Sequence, residues 1–218
     1  MAQVKVCGIT NEEDALYAAK LGAAALGFIF YSVSPRYIEP PAARKIMQKL
    51  PPHIAKVGVF VNESAAEIKS VMKYCGLDFI QLHGDETAAF CRRLPAKKII
   101  KAVSLKEIDD VENACEYKVA ALLADSRHAW LYGGTGMAAD WELAQKLSVQ
   151  KPLILSGGLN QKNIRQAMET VAPRAVDINS GVEISPGRKD PDKMARLMRI
   201  VEKVNIATTS KEKIFTEE

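Results

Sequence analysis

The chain has 218 residues, 48% of them hydrophobic, which is enough for one substantial core or two small ones. Its net charge of +4 comes from 30 basic and 26 acidic residues spread along the chain, which excludes the basic block of a nucleic-acid binder and leaves a mild preference for anionic ligands. Four scattered cysteines without a Cys-x-x-Cys pair argue against a zinc site or a disulfide framework, and no apolar run reaches the ~20 residues of a membrane span.

Short apolar, β-branched runs recur at 4–7, 25–30, 57–61, 79–82, 99–103, 120–124, 153–155 and 175–178. Helical patterns follow them at 12–21, 41–50, 65–74, 86–94, 106–114, 141–147, 161–170 and 191–204. Thr10 or Asn11 is placed to cap the first helix, and Ser64 with Glu67 forms a capping-box signature. Gly22 and Gly76 stand where helix ends favour a left-handed residue. The first residues lack the basic-then-apolar build of a signal peptide, so a soluble, cytoplasmic protein without nucleic-acid or membrane partners is expected.

Strands this apolar have no wet face, and each is followed by a helix, which argues for a parallel sheet covered by helices. An eight-stranded α/β barrel over residues 1–204 is the economical closure. An open doubly wound sheet competes, but its Gly-x-Gly-x-x-Gly turn is missing after the first strand. No linker divides the chain, and residues 205–218 read as a polar, frayed tail.

Barrel enzymes build their sites at the carboxyl ends of their strands, and the residues there are informative. The first strand delivers Cys7, the second leads to Arg36, the fourth to Gln81 and His83, and the sixth to Asp125. The seventh leads into Ser156-Gly157-Gly158, and the eighth carries Asp177 and then Asn179, Ser180 and Gly181. Two glycine turns after strands seven and eight suit a phosphate, through backbone N–H groups. Asp125, ahead of a loop containing Gly133-Gly134-Thr135-Gly136, is either a loop-bonding carboxylate or a general acid or base under a lid. Arg36 could grip a carboxylate with its planar fork or stand as a solvated surface arginine, and His83 could support a neighbouring group or serve as a structural donor. Cys7 could be a buried, inert thiol or a catalytic one. Asp177 could orient a substrate nitrogen or hydrogen-bond inside the core. The first and sixth strands are three steps apart around the ring, so Cys7 and Asp125 could address opposite sides of one small substrate.

These residues resemble those of the phosphoribosylanthranilate isomerase family, the tryptophan-biosynthesis barrel. The matching segments are Lys5-Val6-Cys7-Gly8-Ile9-Thr10, Ser34-Pro35-Arg36, the Val57–Val61 run, Gln81-Leu82-His83-Gly84, Gly133–Gly136 with Asp140-Trp141, Leu155–Leu159, and Val176–Glu183 with Pro186-Gly187. Met137, Ala138 and Ala139 depart from the lysine, threonine and phenylalanine of the resemblance, and Asn179 from its serine. The resemblance implies an Amadori rearrangement of N-(5-phosphoribosyl)anthranilate with Asp125 as acid and Cys7 as base. It further implies that Arg36 holds the anthranilate carboxylate and that Gly157, Gly158, Ser180 and Gly181 hold the phosphate, with no metal or other cofactor. Monomer and homodimer both remain open. The histidine-pathway isomerase resembles the same kind of barrel but uses two aspartates, against which Cys7 argues. A phosphosugar-binding barrel without activity is the other alternative, disfavoured by the presence of both Cys7 and Asp125.

Overall fold

Strand β1 (Gln3–Cys7) pairs in parallel with β2 (Ala25–Ile29) on one side and with β8 (Ala175–Ile178) on the other, and the second pairing closes the sheet. The structure, a computed structural model, describes residues 1–125, 136–206 and 213–216, with the side chains of 136–140 left out. Between β2 and β8 the ladder continues in chain order through β3 (Ala55–Phe60), β4 (Phe79–Leu82), β5 (Ile99–Val103), β6 (Ala121–Asp125) and β7 (Leu153–Ser156). The expected eight-stranded parallel barrel is therefore the fold.

Helices α1 (Glu12–Lys20), α2 (Pro40–Met47), α3 (Ala65–Cys75), α4 (Ala88–Cys91), α5 (Ile108–Cys115), α6 (Gly136–Gln150), α7 (Ile164–Val171) and α8 (Pro191–Ile206) follow the strands in turn. Their starts are chemically marked. Asn11 accepts from the Asp14 N–H at 2.9 Å, ahead of an acidic first turn that complements the helix dipole. Ser64 accepts from the Glu67 N–H, and Gly76 closes α3 in the left-handed conformation at φ 68°.

Because side chains alternate across each strand, the sheet feeds two cores. One lies between strands and helices and includes Val4, Val6, Leu26, Ile80 and Leu122. The other fills the lower barrel with Ala25, Val57, Phe79, Ile100, Leu123, Ile154 and Ala175. Lys5 and Asp177 face the interior above that apolar plug, and Cys7 and Asp125 end their strands at the mouth.

The tail expected to be frayed is docked at Asn205, Ile214 and Phe215. Asn205 exchanges hydrogen bonds with both backbone groups of Ala2. Further on, Ile214 and Phe215 are buried against the interior core at the barrel's amino end, with Phe215 edge-on to Phe79 at a centroid distance of 5.5 Å. Gln3 holds this segment: its amide oxygen accepts from the Ile214 and Phe215 N–H groups, and its amide nitrogen donates to the Phe215 carbonyl. Two apolar residues suffice to cap a barrel floor, and so short a pair carries no periodicity to read. Among the described residues no helix is long and apolar enough to cross a membrane.

Candidate active site

Cys7 lies at the carboxyl end of β1 and is 4% exposed. Its sulfur rests over Gly27 of the neighbouring strand, where an added Cβ would come within 2.7 Å of Sγ and 3.1 Å of Lys5 Nζ. That space is open because position 27 has no side chain. Gly8 follows with φ 73°, turning the chain at a point where a Cβ would press on Arg36 and Asn179. Burial pushes the Cys7 thiol above its ordinary value, while the charge of Lys5 pulls it down, Asp177 pushes it up, and Lys189 adds a weaker downward pull.

On the other side of the ring Asp125 ends β6 with its carboxylate mostly covered, and its Oδ2 lies 3.3 Å from His83 Nε2. Gln81, buried on β4, places its amide nitrogen 2.9 Å from His83 Nδ1. His83 thus stands beside the acid candidate. The loop beneath it is braced by a buried ion pair, Glu86 to Lys101 at 2.9 Å, whose carboxylate also accepts from the Asn62 and Gly84 N–H groups.

Arg36 is no solvated surface arginine. Its Nε and Nη2 edge is committed to Glu183, with Nη2 2.6 Å from Oε2. Glu183 and Lys189 belong to a small antiparallel ribbon after β8, formed by β9 (Glu183–Ser185) and β10 (Arg188–Lys189). Lys189 Nζ is buried on three acceptors: Glu183 Oε1 at 2.9 Å, Asn179 Oδ1 at 3.0 Å and the Cys7 carbonyl at 2.6 Å. The ribbon therefore ties the loops after β1, β2 and β8 into one wall. Residues this short do not announce a strand, so the roles of Glu183 and Lys189 escape a reading from periodicity, although Glu183 ends a matched segment. Asn179, at the departure from the family pattern, accepts one of these Lys189 bonds.

Asp177 sits inside the barrel with its Oδ2 2.9 Å from Lys5 Nζ, while among the described residues its buried Oδ1 has no hydrogen-bond partner. Lys5 was legible, since a period of two puts it on the same face of β1 as Cys7.

The glycine turns meet as expected. Gly157 and Gly158 take positive φ of 93° and 67°, and a Cβ at Gly181 would strike the Leu159 carbonyl, so the turns after β7 and β8 pack backbone to backbone. Ser180 opens the short 3-10 helix Ser180–Val182 beside them. The helix after the first turn starts later than the periodicity suggests, at Ile164 instead of residue 161, because Asn160 and Asn163 fold back to donate to the Gly158 carbonyl. Gly133, Gly134 and Thr135 of the lid expectation lie outside the described residues, as do the side chains of Met137, Ala138 and Ala139. Cys75, Cys91 and Cys115 lie on α3, α4 and α5, away from this mouth.

A thiol, a carboxylate–histidine pair, an arginine and two adjoining glycine turns around the carboxyl mouth of a parallel barrel define a (β/α)8-barrel enzyme. The N-(5'-phosphoribosyl)anthranilate (PRA) isomerase family matches residues 4–200. The N-(5'-phosphoribosyl)anthranilate isomerase of Syntrophus aciditrophicus is 50% identical over 201 residues, covering 92% of this chain and 87% of its own length. The crystal structure of phosphoribosyl anthranilate isomerase from Thermotoga maritima superposes with a TM-score of 0.85 at 43% identity, over 93% of this chain and 100% of that one. A crystal structure of such an isomerase in complex with reduced 1-(o-carboxyphenylamino)-1-deoxyribulose 5-phosphate superposes with a TM-score of 0.83 at 41% identity, over the same shares. The chain belongs to the N-(5'-phosphoribosyl)anthranilate isomerase family, the aldose–ketose isomerases of tryptophan biosynthesis.

Proposed function

We propose that this chain converts N-(5-phospho-D-ribosyl)anthranilate to 1-(2-carboxyphenylamino)-1-deoxy-D-ribulose 5-phosphate with Asp125 as general acid and Cys7 as general base. Asp125 protonates the ribose ring oxygen, the C1–O bond breaks, and the anthranilate nitrogen forms a Schiff base with C1. Cys7, as its thiolate, removes the C2 proton to give an enolamine. Protonation at C1 and loss of the C2 hydroxyl proton complete the ketone. Oxidation at C2 balances reduction at C1, so the atoms and electrons stay within the sugar.

The observation that carries this reading is the separation of roles around the ring. Cys7 and Asp125 end strands three steps apart in a closed barrel, so acid and base reach one substrate from different sides. His83 beside Asp125 supports the acid. The Nη1/Nη2 edge of Arg36, turned from Glu183, suits the anthranilate carboxylate. Gly157, Gly158, Ser180 and Gly181 supply the adjoining turns for the phosphate. Freshly prepared phosphoribosylanthranilate added to the purified protein should lose its fluorescence with time; a persistent signal at high protein concentration would overturn the proposal.

A further inference from the structure

Lys5 is a fully buried amine inside the barrel, directly below the site, and none of the steps above uses it. Its Nζ meets Asp177 Oδ2 at 2.9 Å, and with the Cys7 sulfur it borders the space over Gly27, where an added Cβ would lie 3.1 Å from Nζ and 2.7 Å from Sγ. All three groups belong to strands paired in register, with Lys5 opposite Asp177, and the missing side chain of Gly27 leaves room for both sulfur and ammonium on the same side of the sheet. Resting on the reading of Cys7 as base, we propose that Lys5 is a positioning residue, an ammonium fixed by Asp177 so that the Cys7 thiolate has a counter-ion inside the barrel.

The charges around the sulfur sort by element. Lys5 on β1 is the strongest pull toward the thiolate, Lys189 on β10 a weaker one, and Asp177 on β8 opposes them. Arg36, on the loop after β2, and Glu183, on β9, are paired with each other across the mouth. Burial acts to discharge Lys5, but Asp177 and the thiol together hold its ammonium above the ordinary lysine value, so it remains charged across the working range. A side chain kept only for packing would tolerate an apolar replacement of equal length without altering how the thiol titrates. A counter-ion would not.

The test is the pH dependence of Cys7 alkylation by iodoacetamide, followed by mass spectrometry of the labelled peptide in the full-length chain. Lys5→Met should move the midpoint up, lowering the labelling rate near neutral pH by at least about tenfold, the thiolate fraction lost per pKa unit. Asp177→Asn removes the opposing charge and should move the midpoint down. The double variant Lys5→Met/Asp177→Asn leaves no orphaned buried charge and covers the case in which Lys5→Met fails to fold; its midpoint should still lie above that of the unaltered protein. An unmoved midpoint in the double variant, or the same direction of shift in Lys5→Met and Asp177→Asn, would overturn the proposal. Alkylation is read without turnover, so if Cys7→Ala were fully active while these shifts held in the variants that keep Cys7, Cys7 would be removed from the reaction and the ion pair would stand.

Discussion

Replacing Glu183 by glutamine tests the wall that joins three loops of the site. The carboxylate is buried, holds the Arg36 fork, accepts from Lys189 Nζ and also from the Gly187 N–H. Breaking a buried pair from one side costs about 3–5 kcal/mol, because the partner is left charged and dry. The low end applies, since glutamine keeps a carbonyl acceptor and Lys189 keeps the Cys7 carbonyl and Asn179 Oδ1. A loss of about 3 kcal/mol in a chain of this size lowers the melting temperature by roughly 6–12 °C. The pH dependence follows from the same contacts. Burial is the largest influence on Glu183 and raises it, but Arg36 and Lys189 together hold its carboxyl below the ordinary range. Its contribution is therefore complete above the unfolded value of about 4.3 and is lost as pH falls through the lower folded value. The gap in melting temperature between the two proteins should be full at neutral pH and narrow as the solution is acidified below about pH 4. Calorimetric scans across that range read both effects. Equal melting temperatures at neutral pH, or a gap that stays constant into acid, would refute the reasoning.

Asp125→Asn preserves shape but cannot supply a proton, so kcat should fall by at least ~10²-fold in the fluorescence assay, and near-normal turnover would remove Asp125 from the mechanism. Arg36→Met should raise KM by about tenfold or more, the scale of one charge-assisted hydrogen bond, and exceed any fall in kcat; an unchanged KM would confine Arg36 to its bond with Glu183. Phe215→Ala should lower the melting temperature by a few degrees, less than the ~3–5 kcal/mol of a core phenylalanine would imply because a terminal segment can undock alone, and should leave kcat unchanged. An unaltered melting temperature would mean that Phe215 does not hold the barrel floor.

The barrel was legible because strands buried on both faces write themselves as uninterrupted apolar runs, and eight of those alternating with amphipathic stretches leave few closures. The same physics made Cys7, Asp125 and the glycine turns visible, since each follows such a run directly. Lys189 and Glu183 were harder, because the ribbon that carries them has strands of two and three residues and is specified by buried ion pairs with distant loops. The Lys101–Glu86 pair is equally silent in sequence, where two charges ordinarily signify solvent. Lys5 shows the opposite case: alternation along β1 places it with Cys7, but a lysine inside a barrel is unexpected until Asp177 is found across the ladder. The tail misled for want of length, as Ile214 and Phe215 dock through Gln3, more than two hundred residues upstream.

The central claim is that Cys7 is the base, and stoichiometric alkylation tests it most directly. Limited iodoacetamide should label Cys7 in step with the loss of turnover, a product analogue should protect both, and Cys7→Ser should fold normally with almost no activity because its hydroxyl is too weak an acid to form the anion. Full turnover with Cys7 completely alkylated, or a robustly active Cys7→Ala protein, would contradict it.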